Sequence, residues 1–177
     1  MKKRKMFNII FTGICIAIGL ILPKFIHIIP ISNPGSILLP MHIPVLLCGF
    51  ISGLPYGIIC GVTLPLLSFL VTGMPPVFPV GIAMAFELAT YGALTAIFYQ
   101  MMKGRVFFSL VGAMIGGRIV LGLVNIILYS FTDNVYGFTF FLTSAFVTAL
   151  PGIIIQLIII PAIMKAIEHA KKPILNH

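Results

Sequence analysis

Charge is what this chain has least of. Among its 177 residues only 3 are acidic and 8% are charged, and there is no tryptophan. A soluble domain carries charge on about a quarter of its residues, so the composition excludes an ordinary soluble fold. Between Lys24 and Lys103 there is no lysine or arginine, and the single acid is Glu87. Several chemistries are absent as well. No GxxxxGK[ST] phosphate loop, GxSxG elbow, HExxH pair or paired-carboxylate metal site occurs, which removes nucleotide hydrolysis, serine-hydrolase and zinc-protease chemistry. Cys15, Cys48 and Cys60 stand in apolar runs without CxxC or Cys/His spacing, so they read as buried inert thiols.

What is present is apolar: 60% hydrophobic residues and a mean hydropathy of +1.19. At about 20 residues per span the length allows about six membrane crossings. The expected fold is an all-α integral membrane protein, a bundle of six transmembrane helices with both termini cytoplasmic. It forms one domain over residues 1–177, with 1–5 a basic flank and 165–177 a tail. The spans are expected at Met6 to Leu22 (ending at Pro23), Met41 to Ser52, Tyr56 to Thr72 (kinked at Pro65), Val80 to Met101, Val106 to Tyr129, and Phe138 to Met164 (kinked near Pro151). The proline-broken stretch from Phe25 to Leu39 reads as an apolar outer loop folded over a cavity. Lysine and arginine collect at the N-terminus, at residues 103–105 and beyond residue 164, ends that the positive-inside rule assigns to the cytoplasm; Lys24 alone dissents. The net charge of +8 therefore points to a membrane surface, since these cations are not interleaved with aromatics as in a nucleic-acid face.

The chain is organised around the uncharged stretch from Pro40 to Pro76. Gly49, Gly53, Gly57 and Gly61 recur every fourth residue, and Pro55 breaks the run. Two short helices result, each with a glycine-lined side where another backbone can approach closely, which is how helices pack when lipid supplies no hydrophobic drive. Between them, Gly53-Leu54-Pro55-Tyr56-Gly57 has the chemistry of a tight turn.

Glu87 and Arg118 are the only ionisable residues expected well inside the apolar layer, and a charge in that position marks a functional site by default. At about 1.5 Å per residue they lie about 10 and 17 Å from the outer ends of their helices, an offset that an arginine side chain spans. A purely structural ion pair is the equal alternative. Tyr91 follows Glu87 by one helical turn, and Asn125 lies two turns from Arg118 on the same face. Glu87, Tyr91, Arg118 and Asn125 together offer both signs of charge, an aromatic face and an amide in an apolar setting, the composition of a small-molecule pocket. Taken alone, Asn125 reads as a helix-to-helix hydrogen bond. His42 either caps that pocket or sits at the interface, and Gln156 is expected too deep toward the cytoplasm to touch a ligand. On the first span, Gly13 and Ala17 have the small-xxx-small spacing of a helix contact.

Leu39-Pro40-Met41-His42-Ile43-Pro44-Val45, the four glycines, Tyr56-Gly57, Pro65-Leu66-Leu67-Ser68 and Thr72-Gly73-Met74-Pro75-Pro76 carry a resemblance that continues through Phe86-Glu87-Leu88 and Tyr91-Gly92 to Gly117-Arg118-Ile119-Val120. Over about half its length the chain resembles the substrate-binding (S) subunit of an energy-coupling factor (ECF) vitamin transporter, closest in look to niacin-type subunits. The resemblance implies a high-affinity binding subunit in a bacterial plasma membrane, with no cofactor of its own. It also implies a transmembrane coupling subunit and two ATPase subunits as partners, with Gly13 and Ala17 similar to the motif by which the family's first helix meets its membrane partner. Niacin, as nicotinate, is the first expectation for the vitamin; cobalamin is an alternative, and a non-transporting membrane scaffold is the competing class.

Overall fold

The structure, a computed structural model, describes residues 2–26, 28, 30, 33–131 and 138–171. Among them all regular structure is helical: α1 (Lys2–Ile26), α2 (Pro34–Leu38), α3 (His42–Ser52), α4 (Leu54–Thr72), α5 (Ile82–Met101), α6 (Val106–Tyr129), α7 (Phe138–Leu142) and α8 (Leu150–Lys171). Wide helical turns at Val77–Gly81 and Thr143–Thr148 lead into α5 and α8. Six helical stretches are long and apolar enough to cross a membrane, with α2 and α3 counting together as one of them.

The core is built on the glycine ladder. Gly49, Gly57 and Gly61 are all buried against α5. A methyl group added at Gly57 would lie 2.5 Å from the Gly92 carbonyl oxygen, and one added at Gly49 would meet the same oxygen at 2.5 Å. The fourth rung, Gly53, is the break itself: its φ of 89° is left-handed territory, and the next residue opens α4. Backbones of α3, α4 and α5 thus touch directly, while α6 closes on the far side of α5.

Four expectations are corrected. Helix α1 does not stop at Pro23 but runs through it to Ile26; a proline inside a membrane span is tolerated where neighbouring groups take up the carbonyl it frees. The stretch from Phe25 to Leu39 is not all loop, since Pro34–Leu38 is helical. That resolves a length problem: 12 residues from Met41 to Ser52 would rise only about 18 Å, short of a hydrocarbon core of about 30 Å, and α2 supplies the rest. The last span is not one helix kinked near Pro151. It breaks at Thr143–Thr148 and resumes as α8, whose second residue is Pro151 and which passes through Pro161 to Lys171. Gln156 is the fourth, taken up with the site below. As for the third span, α4 passes through Pro65 without interruption. The outer turns that the sequence leads one to expect at Ser32 and at Asn134 lie outside the described residues.

Contacts place the basic segments at one end of the bundle. Asn8 donates from Nδ2 to the Ser52 carbonyl (3.1 Å), the Phe50 ring meets Tyr99 edge-on (5.3 Å between centroids), and the Tyr99 hydroxyl bonds Glu168 (3.3 Å). The start of α1, the α3–α4 turn, the α5–α6 loop and the end of α8 are therefore neighbours.

Candidate functional site

Three helices bring together the residues singled out in the sequence. Glu87 of α5 sits with its Oε1 3.0 Å from Arg118 Nη1 of α6 and 3.5 Å from His42 Nε2 of α3. All three are buried, at 3%, 5% and 1% exposure, as is Tyr91 at 1%. The His42 and Tyr91 rings are 5.3 Å apart and tilted at 59°.

Local structure explains each placement. Leu39 adopts a left-handed φ of 49° and is tied down on both sides: its N–H donates to Gly35 O (3.0 Å), and its carbonyl accepts the His42 N–H (3.1 Å). That turn starts α3 with His42 pointing inward. Tyr91 lies on a bare patch of α6, because a side chain at Gly117 would strike the Tyr91 ring. Arg118 is the next residue, so the glycine that admits the tyrosine also brings the guanidinium within reach of Glu87. An unpaired charge in such a place would be very costly to bury; the pair makes the burial tolerable.

The pair does not exhaust the arginine. Its Nε and Nη2 have no hydrogen-bond partner among the described residues, nor does Nδ1 of His42. Among the described residues Arg118 is also the one charged group lining a cavity of about 220 Å³ between α6 and α8, whose other walls are Val111, Met114, Ile115, Phe146, Leu150, Ile153 and Leu157.

Asn125 is buried on the same face of α6, two turns from Arg118. Gln156 is where the expectation was wrong. It is buried, and its Nε2 makes a long hydrogen bond (3.5 Å) to the Leu39 carbonyl, level with the start of α3 and not deep toward the far end. The misplacement came from counting along one straight helix from Phe138, whereas α8 starts afresh at Leu150 and its Gly152 abuts the Ile37 and Leu38 backbone. Phe146 escaped the sequence reading altogether, since one aromatic among many in an apolar run carries no distinguishing signal. Gly13 and Ala17 lie on the exposed side of α1, with open space around Gly13.

Membrane-length helices around a buried ion pair, with a small, half-open apolar hollow between α6 and α8 against the arginine, define a polytopic membrane protein with room for a small solute beside that arginine. The family model described as the ECF transporter, substrate-specific component, matches residues 7–164, and the chain belongs to that family. It is an integral membrane substrate-binding subunit of an ECF vitamin transporter, working with other ECF components, and not an enzyme. No curated protein and no solved structure matches it.

Proposed function

We infer that the subunit captures a small carboxylated vitamin, nicotinate first, and that Arg118 holds its carboxylate. The observation that carries this reading is a buried arginine with two unpartnered nitrogens on the wall of an otherwise apolar cavity. A guanidinium binds a carboxylate bidentately and keeps its charge in an apolar site. Glu87 occupies Nη1, so the ligand shares the arginine with the glutamate and does not displace it. Size supports a single ring: about 220 Å³ falls below the 300–1,000 Å³ or so of pockets for drug-sized ligands and leaves no room for a corrin. Phe146 gives the ring an aromatic surface, while His42 and Tyr91 brace Glu87 from behind. Uphill movement is driven by ATP hydrolysis in the partner subunits, one transmembrane coupling subunit and two ATPases, and the Gly13 and Ala17 side of α1 meets the coupling subunit.

A double variant separates ligand contact from structural pairing. Losing one member of a buried pair costs about 3–5 kcal/mol, so Arg118→Ala alone confounds the two. Arg118→Met with Glu87→Gln should restore expression and melting temperature yet bind no nicotinate, while the wild type binds nicotinate far better than nicotinamide. Full affinity in the double variant would make Arg118 a structural residue and remove the case for an anionic substrate.

A further inference from the structure

A second hollow lies at the basic end of the bundle, remote in the fold from the ion pair. It is an open concavity of about 610 Å³ where α5 gives way to α6, lined by Met101, Met102, Lys103, Arg105 and Phe108. Its backbone is well determined by hydrogen bonds. Met102 N–H donates to Phe98 O (2.8 Å), Gly104 N–H to Tyr99 O (2.9 Å) and Arg105 N–H to Met102 O (3.2 Å), a closed helix end with Lys103 and Gly104 both at positive φ. The two cations are therefore presented on a fixed turn.

Among the described residues no carboxylate lies within ion-pair distance of Lys103 or Arg105. Glu168, at the same end of the bundle, accepts from the Tyr99 hydroxyl (3.3 Å). The rest of the lining is apolar and uncovered: Met101 is 70% exposed and Phe108 58%. Exposed apolar side chains continue from it along both helices, through Ile97 on α5 and Phe107 and Ile119 on α6. A hollow with two cations at its polar edge, unpaired among the described residues, and an apolar floor running into the lipid-facing flank has the two-part chemistry of a phospholipid.

We propose that this hollow is a binding site for an anionic phospholipid, its phosphate held between Arg105 and Lys103 and its acyl chain laid along Met101 and Phe108. The arginine takes phosphate oxygens in a fork and the lysine acts as a compact point charge. Juxtamembrane cations attract anionic headgroups strongly enough that each is worth about a five-fold change in affinity. An acidic segment of a partner protein would satisfy the charges but would leave the apolar floor unexplained.

The test uses the full-length subunit and does not depend on the vitamin. Native mass spectrometry of wild type and of the Lys103→Gln/Arg105→Gln variant would count retained phosphatidylglycerol and phosphatidylcholine, with melting temperature measured in each lipid and in inorganic phosphate. Wild type should retain phosphatidylglycerol in preference to phosphatidylcholine and be stabilised by it. In the variant that affinity should fall about 25-fold, two such steps, and Phe108→Ala should weaken it while leaving both cations in place. Equal retention of the two lipids overturns the proposal, as does undiminished retention in the double variant. Stabilisation by inorganic phosphate equal to that by lipid would show an anion site without a lipid site and overturn it too. If an acidic peptide from a partner binds the hollow while phosphatidylglycerol does not, the occupant is protein.

Discussion

At the scale of single residues, the site divides into what its polarity announced and what it did not. Glu87 and Arg118 were legible because a charge in a long uncharged stretch has few other reasons to be there, and one helical turn was enough to add Tyr91. His42 was recognised but not placed, since its position depends on the left-handed turn at Leu39, a non-glycine residue that gives no warning of such a backbone. Phe146 was silent for the opposite reason: it is apolar among apolar residues, and only the wide turn at Thr143–Thr148 brings it to the cavity. It now supports a prediction. An aromatic pair is worth about 0.5–1.5 kcal/mol beyond area burial, so Phe146→Ala should weaken nicotinate binding about two- to ten-fold in a titration. Its melting temperature should stay near wild type, because the side chain is 42% exposed. Unaltered affinity would take the ring off Phe146.

At the scale of elements, the glycine ladder was legible as a packing device, and the structure adds its target. Rungs on both α3 and α4 converge on Gly92 of α5, which the spacing within Pro40 to Pro76 could not name. A methyl at Gly92 would drive into the Gly57 backbone, and overpacking of this kind typically costs about 1–3 kcal/mol. Gly92→Ala should therefore lower the melting temperature clearly, and a variant melting like wild type would mean that the helices can part at no cost. Helix ends were read less well, because proline was given more authority than it has. Pro23, Pro65 and Pro161 all sit inside helices, as membrane spans allow when neighbouring groups take up the freed backbone. For α1 the prediction concerns its outer side. Gly13→Leu or Ala17→Leu should abolish uptake by the assembled transporter while nicotinate affinity in the isolated subunit is kept, since neither residue is buried. A loss of affinity as large as the loss of uptake would assign that face to the pocket.

For the whole molecule, six spans could be counted from composition, and the bundle's contacts add that the basic segments share one end, which the positive-inside rule assigns to the cytoplasm. The three native thiols are buried, so reporter cysteines can be placed in the otherwise unaltered chain. In whole cells Met74→Cys should react with an impermeant thiol reagent, and His169→Cys should react only after permeabilisation. The reverse pattern would turn the molecule over. The standing of α1 bears on assembly. Only Thr12, Cys15 and Gly19 of this helix are buried, while Ile9, Ile10, Ile14, Ile18 and Ile21 face outward. In water such a surface would be adhesive, but in a bilayer it is already solvated by acyl chains, and a partner helix offers those isoleucines nothing that lipid does not. Association over this face, where docking is proposed, would exchange one apolar neighbour for another, so its strength would come from how closely two backbones can meet at Gly13 and not from the apolar area it covers.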